Sequence, residues 1–316
     1  MRRTLNRALL GVVATALVAT GCGTSSSSSS SGSTSTKSSG AKGSVTIAAF
    51  NFGESTILAN MYADQLKRAG FTPTIKKLTN REVVEPALQR GEVQLVPEYL
   101  STLTEFINVK KNGPNAKPLA SSDVNATLAA LQALAAPRNL KALTPSPATD
   151  QNAFAVTQDF ASKNHLTTLS DLKGYNGKLV LGGPPECPKR PYCQPGLEKT
   201  YGIAFTGFTP LDAGGPLTKT ALQQGKVQLG LVFSSDGGID ALKLKVLTDD
   251  KKLQNADNIV PVINTKVNSP ELVAALNKVS AALTTSELVA LNKKVDVDRA
   301  DPAKVAQEFL ASKGLG

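Results

Sequence analysis

The sequence predicts an α/β protein with two similar lobes, each built on a mainly parallel sheet that is flanked by helices. Three observations lead to this prediction. Strand-like and helix-like segments alternate from residue 44 onwards, a pattern in the first half recurs in the second, and helix-like segments close the chain. Such alternation is typical of parallel sheets, because the crossover between two parallel strands is usually a helix.

An internal repeat supports the two lobes. Residues 87–102 read ALQRGEVQLVPEYLST and residues 221–236 read ALQQGKVQLGLVFSSD, and the sequence GFTP precedes each of them, at 70–73 and 207–210. A strand-like segment leads each unit as well, so three matches occur in the same order. Coincidence is the alternative, since helix–Gly–strand is common in α/β proteins. Three collinear matches favour a duplicated unit.

Each unit is predicted to run strand, helix, strand, helix, strand. In the first unit one helix spans Ser55–Ala69 and another spans Arg81–Arg90, where Gly91 ends it. Ligands of such sheets bind beyond the carboxyl ends of the strands. The third strands of the two units end at Tyr99 and Phe233. The two lobes are therefore predicted to present equivalent aromatic rings to one cleft.

The remaining segments indicate where one lobe ends and the other begins. A helix is predicted over 119–135, with Ser121-Ser122-Asp123 as its start signal and Pro137 as its stop, and prolines in 145–149 mark where the chain leaves the first lobe. Helices in 270–310 are predicted to return to it. The predicted organisation is a first-lobe segment at 44–147, a second lobe at 148–235 and a return to the first lobe at 236–316.

The N-terminus predicts export and a lipid anchor. Residues 1–21 combine three arginines with a short apolar run, which is typical of a secretory signal and too short for a dedicated membrane span. Cys22 follows Ala-Thr-Gly, a sequence similar to a bacterial lipobox, and residues 22–43 form a Ser/Gly-rich tether. We therefore expect Cys22 to carry lipid and to hold the protein on the outer side of a bacterial cell membrane. An ordinary signal peptide with an incidental cysteine is the alternative.

Charge, cysteine and histidine content exclude several functions. The net charge is +10, or +7 without the three signal arginines, but the basic residues are scattered and are not interleaved with aromatics, which argues against nucleic acid. Cys187 and Cys193 are expected to form a disulfide in an oxidising compartment. The single histidine, His165, is distant along the chain, so no metal site is predicted. The folded part contains none of the common catalytic or nucleotide-binding motifs, so we predict neither an enzyme nor a cofactor.

Six segments in a fixed order carry a family resemblance: Asn51–Glu54, Gly91–Tyr99, Leu169–Leu172, Pro195–Gly202, Phe233–Gly237 and Asn292–Val297. Together they resemble the osmoprotectant-binding proteins of glycine betaine, choline and carnitine ABC importers. The resemblance covers nearly all of 44–316. It implies a two-lobed periplasmic-binding-protein fold of type II that closes by a hinge between the lobes. It also implies a monomer whose partners are a small ligand and a permease with a cytoplasmic ATPase.

The resemblance further implies a site made of aromatic rings. A trimethylammonium group is cationic and has no N–H, so rings bind it through cation–π attraction. Tyr99, Tyr201 and Phe233 match three ring positions of the family, and Asn152 stands at the fourth. This set is predicted to form a cage in the cleft between the lobes.

Other positions of the implied site affect its specificity. Thr102 matches a family contact to the ligand carboxylate, but Phe50 stands where the family often has a lysine. Asn51 and Asp236 lie in strand-end loops and are predicted to be cleft residues, with caps or turns as the alternative. Without the lysine we expect altered specificity, for choline or for a larger or neutral solute instead of glycine betaine. A lipoprotein hydrolase and a scaffolding lipoprotein remain as further alternatives.

Overall fold

Two five-stranded sheets carry the fold. The computed structural model describes residues 42–255 and 257–316, so the predicted signal peptide, the predicted lipid-anchor residue Cys22 and most of the tether lie outside the described residues. The strands are β1 Ser44–Ala49, β2 Thr72–Lys77, β3 Leu95–Tyr99, β4 Leu140–Ala142, β5 Asn152–Thr157, β6 Val180–Gly183, β7 Gly207–Pro210, β8 Leu229–Phe233, β9 Leu244–Leu247 and β10 Ile259–Asn264.

The helices begin and end close to the positions that the sequence signals indicate. Asp123 accepts hydrogen bonds from the first turn of its helix, Ser269 and Asp301 do the same for later helices, and Gly91 ends another in the left-handed region, with φ +78°. Of the helices between residues 42 and 316, none is long and apolar enough to cross a membrane. The helices are α1 Gly53–Arg68, α2 Arg81–Arg90, α3 Leu100–Asn112, α4 Val124–Ala135, α5 Gln158–Lys163, α6 Gln194–Gly196, α7 Pro216–Gln223, α8 Pro270–Ala282, α9 Thr285–Asp296 and α10 Pro302–Ser312.

The two sheets have the same spatial arrangement of strands. The first has the order β2-β1-β3-β10-β4 and the second the order β7-β6-β8-β5-β9. In each sheet the repeated unit supplies three parallel strands, and one strand, β10 or β5, runs antiparallel to both of its neighbours. The two mainly parallel sheets are as predicted, and the strands of the repeat occupy equivalent places in them.

The chain crosses between the sheets twice, and the two crossing segments are hydrogen-bonded to each other. Asp150 N–H donates to the Asp257 carbonyl (2.9 Å), and Ile259 N–H donates to the Ala148 carbonyl (3.0 Å). The second crossing comes later than the boundary predicted at residue 235, because β9 pairs with β5 and so belongs to the second sheet. The chain returns to the first sheet only at β10.

Buried apolar side chains lie on both faces of the second sheet, as expected for strands covered on two sides. Phe154 of β5 packs into one core cluster while its neighbour Ala155 packs into another, which is the period-two alternation of a strand. The first sheet has one larger core, and α8, α9 and α10 all pack on α1. The C-terminal helices therefore pack on the side of the first sheet.

Candidate ligand-binding site

A cavity of about 450 Å³ lies between the two sheets, at the carboxyl ends of their parallel strands. Its lining includes the residues that follow β1 and β6 and the last residues of β3 and β8. Both repeated units therefore contribute to one cleft. This is the location predicted from the strand ends.

Four aromatic side chains, Phe50, Phe52, Tyr99 and Phe233, line the cavity, and we call them the aromatic cage. Phe52 is the centre of the cage. Its ring centroid lies 5.9 Å from that of Phe50, 5.5 Å from that of Phe233 and 6.3 Å from that of Tyr99. The contact with Phe233 joins a residue that follows β1 to the last residue of β8 in the opposite sheet. The site prediction did not include Phe52, although its motif Asn51–Glu54 carried part of the resemblance.

The hydroxyl of Tyr99 is hydrogen-bonded to a buried carboxyl group, so the part of Tyr99 that is open to a ligand is its ring. It donates a 2.6 Å hydrogen bond to Oε1 of Glu54. Burial, and the negative charge of Glu54, raise the pKa of Tyr99 well above its usual value. Tyr99 is therefore a neutral ring at the cavity wall.

Two buried carboxyl groups, Glu54 and Asp150, lie behind the cage. Oε2 of Glu54 accepts hydrogen bonds from Ser235 Oγ and Asn292 Nδ2, both 2.6 Å long. Asp150, which lines the cavity, accepts from Ser235 N–H at 2.9 Å. Burial raises the pKa of each carboxyl group. A raised pKa favours the neutral form of these groups, and a cation nearby would favour their charged form.

Two arginines that the site prediction did not include line the same cavity. Arg81 is buried, binds Glu98 through Nε and Nη2, and holds its guanidinium 5.6 Å from the Phe50 ring centroid. Arg190 comes from the opposite side and pairs with Glu82 across the cleft, with Nη2 2.8 Å from Oε2. Within the described residues, Nη1 of each guanidinium makes no hydrogen bond. The site thus contains cationic donors despite the phenylalanine at position 50.

The predicted disulfide is confirmed and forms part of the cavity wall. Cys187 and Cys193 are bonded, with their Cα atoms 5.2 Å apart, and both line the cavity. The loop that they close carries Arg190 and Tyr192. The Tyr192 carbonyl accepts hydrogen bonds from Asn152 Nδ2 (3.2 Å) and from Gln254 Nε2 (2.9 Å). The loop is therefore fixed at both ends by the disulfide and in between by contacts to the crossing region.

Three predicted polar residues also line the cavity: Thr102, Asn51 and Asn152. The Thr102 hydroxyl donates to the carboxylate of Asp257, which also accepts the Ser101 N–H (2.6 Å) at the start of α3. Burial raises the pKa of Asp257 to about 6. Thr102 is therefore held in place by a residue of the second crossing segment.

Tyr201 and Asp236, which the sequence analysis places in the site, are not among the residues that line the cavity. A π-helical turn at Leu197–Tyr201 follows α6 and turns Tyr201 into the core of the second sheet, where it is 1% exposed and its hydroxyl donates to Asp249. Asp236 forms an ion pair with Lys219, with 2.6 Å between Nζ and Oδ2. The aromatic rings that line the cavity are therefore the four grouped around Phe52.

Comparisons with known proteins agree with this architecture. The family model described as the substrate binding domain of ABC-type glycine betaine transport systems matches residues 43–312. The glycine betaine-binding protein YehZ of Escherichia coli (strain K12) is 31% identical over 274 residues, which is 83% of this chain and 88% of that protein. A crystal structure described as a glycine betaine/carnitine/choline ABC transporter superposes with a TM-score of 0.64 at 28% identity, covering 86% of this chain and 99% of that one. Lactococcal OpuAC, in its closed conformation with glycine betaine, shares the fold with a TM-score of 0.61 at 17% identity, over 86% of this chain and 96% of that one. The fold is that of type II periplasmic binding proteins.

Proposed function

The chain belongs to the family of substrate-binding domains of ABC-type glycine betaine transport systems, and we propose that it captures a zwitterionic quaternary ammonium solute in the cavity between its two sheets. Members of this family are transport binding proteins and not enzymes. The ligand would be delivered to the permease of an ABC importer, whose cytoplasmic ATPase drives uptake. The aromatic cage is the observation that carries the choice of ligand.

The cage suits a trimethylammonium group because such a group has a positive charge and no N–H to donate. Aromatic faces attract it at about 0.5–2 kcal/mol per ring, more when water is excluded. The rings of Phe50, Phe52 and Tyr99 come from one side of the cleft and that of Phe233 from the other. A bound cation would also favour the ionised form of the carboxyl groups of Glu54 and Asp150, which lie behind these rings.

The two arginines favour a betaine over choline. A ligand carboxylate placed at the free Nη1 atoms of Arg81 and Arg190 would gain charge-assisted hydrogen bonds, which choline has no group to accept. Thr102 lies in the same part of the lining. In this proposal the arginines bind the ligand carboxylate, the function that the sequence analysis assigned to the lysine often found at the position of Phe50.

Ligand binding is proposed to favour closure of two lobes about the paired crossing segments. The first lobe would comprise residues 44–147 together with the chain from β10 to the C-terminus, and the second lobe the residues between them. Glu82 with Arg190, and Asn80 with Glu186 (3.4 Å), already connect the two sides of the cleft. Lipid on Cys22 and the tether would keep this unit at the outer face of the cell membrane.

Calorimetric titration with glycine betaine, carnitine and choline tests the proposal. We expect the two carboxylated ligands to bind and Phe52→Ala to weaken them by at least about tenfold, since it removes the central ring. Tyr175→Ala is the control, because Tyr175 makes an edge-to-face contact with Phe160 and does not line the cavity. No binding of any of these solutes, or equal affinities for the wild type and Phe52→Ala, would contradict the proposal.

A further inference from the structure

A second cavity, of about 330 Å³, adjoins the first. It lies between α3 and the disulfide-closed loop, and we call it the side cavity. Four residues line both cavities: Arg81, Thr102, Asn152 and Arg190. A ligand group held by the two arginines would therefore lie at the junction of the two spaces.

The walls of the side cavity are apolar on two opposite sides. Phe106 and Val109, which are three residues apart and so share one face of α3, form the first wall. Pro191 and Tyr192 of the disulfide-closed loop form the second. All four side chains belong to ordered elements, because the disulfide and the hydrogen bonds to the Tyr192 carbonyl hold the loop.

Within the described residues, the charged side chains around the side cavity have partners, except for exposed Lys189. Buried Glu105 accepts hydrogen bonds from the N–H groups of Leu119 (2.5 Å) and Ala120 (2.6 Å). Nζ of Lys110 lies 2.6 Å from Oε2 of Glu85. Glu82 pairs with Arg190, as described above. Apart from Lys189, which is exposed to solvent, the faces left for a ligand in this space are therefore the apolar and aromatic ones.

We propose that the side cavity holds an uncharged apolar or aromatic substituent of the ligand. The solute would then be a betaine with a bulky side chain on the carbon between its ammonium and its carboxylate. Its ammonium would occupy the aromatic cage, its carboxylate the arginines at the junction, and its side chain the space between Val109 and Tyr192. The inference rests on the proposed function, because it assumes that the cage and the arginines bind the two charged groups.

Glycine betaine and the N,N,N-trimethyl derivative of phenylalanine make a matched pair of probes, because they differ only by a benzyl group on the central carbon. In calorimetric titrations of the wild-type protein we expect the phenylalanine betaine to bind at least about tenfold more tightly, as burial of a ring predicts. Val109→Phe should fill the side cavity and bring the ratio of the two affinities to about one or below. Half-buried Val109 lines the side cavity and not the first.

Phe106→Ala is the second variant, since it removes a wall without adding bulk, and it should reduce the same ratio by at least about threefold. Thermal unfolding without ligand checks that both variants are folded. Equal binding of the two probes by the wild type, or an equal effect of both substitutions on both probes, overturns the inference. Binding of glycine betaine alone overturns it and leaves the proposed function standing, whereas binding of neither probe contradicts both.

Discussion

The hydroxyl of Tyr99 donates to Oε1 of Glu54, and the other oxygen of that carboxyl group accepts from Ser235, which follows β8 of the opposite sheet. One buried carboxyl group thus connects a ring of the aromatic cage to the far side of the cleft. Asn292 of α9 donates to the same oxygen as Ser235. The ring and the hydroxyl of Tyr99 consequently have separate functions, and substitutions can distinguish them.

Tyr99→Phe should keep the ligand affinity within about twofold, because the ring stays in the cage. It should lower the free energy of unfolding by about 1–3 kcal/mol, because buried Glu54 loses a hydrogen-bond donor. Tyr99→Ala should reduce affinity by at least about tenfold. Titration calorimetry and urea unfolding provide the two readouts. If Tyr99→Phe lost as much affinity as Tyr99→Ala, the hydroxyl and not the ring would be the binding group.

Arg190→Ala should weaken binding of glycine betaine by about tenfold or more and leave the affinity for choline nearly unchanged, since only the betaine has a carboxylate. Glu82→Gln is the matched control. It breaks the same ion pair across the cleft but keeps the guanidinium. Equal losses in the two variants would assign the effect to the ion pair and not to a ligand contact.

Replacing both Cys187 and Cys193 by serine should reduce ligand affinity, because the loop that carries Arg190 and Tyr192 loses its covalent closure. The free energy of unfolding should fall by about 2 kcal/mol, as expected for a short loop. Treatment of the wild type with a reductant should reproduce both effects. The same reductant should leave the double variant unaltered, and a response there would point to a different target.

Tyr201→Phe should leave ligand affinity unchanged, because Tyr201 lies in the core of the second sheet. The free energy of unfolding should decrease by about 1 kcal/mol through loss of the hydrogen bond to Asp249. The comparison with Tyr99→Ala, measured in the same titration, tests the position that the structure gives to each tyrosine. A clear loss of affinity in Tyr201→Phe would return this residue to the binding site.

Asp257 should make the protein less stable as pH rises. Its pKa is about 6 in the folded protein against 3.8 for an unperturbed aspartate, so the folded state holds the proton more tightly than the unfolded state does. The contribution of this group to stability should therefore fall by about 3 kcal/mol between roughly pH 4 and pH 6. Glu54 and Asp150 also have raised pKa values, so the measured quantity is the difference between wild type and Asp257→Asn in urea unfolding across this range. A pH-independent difference would contradict the prediction.

The fold was largely predictable from the sequence because it depends on local patterns. Gly91 and Asp123 mark helix ends through backbone geometry and capping, and the repeat places Tyr99 and Phe233 at equivalent strand ends. The later return to the first sheet was not predictable in this way. Pairing of β9 with β5 joins residues about ninety positions apart, and short strands carry little periodicity of their own.

The composition of the site was only partly predictable. Tyr201 has the residue type of a cage member, but one π-helical turn directs it into the core, and a family pattern does not encode that turn. Arg81 and Arg190 look like ordinary surface charges in the sequence, and only the folded chain brings both to one cavity. The spacing of the two cysteines could have indicated that Arg190 and Tyr192 lie near the site. The disulfide closes a short loop after the end of β6, and such a loop holds its side chains near the cleft.

The double crossing between the sheets affects the order in which the two sheets can fold. The second sheet is built from one continuous stretch, β5 to β9, whereas the first needs β10 inserted between β3 and β4, which precede it by more than one hundred residues. A chain synthesised from its N-terminus therefore has the later sheet complete while the earlier one still lacks the strand between β3 and β4. We expect the second half to become resistant to protease first, and a chain truncated before residue 259 to keep a native second sheet beside an unfinished first one.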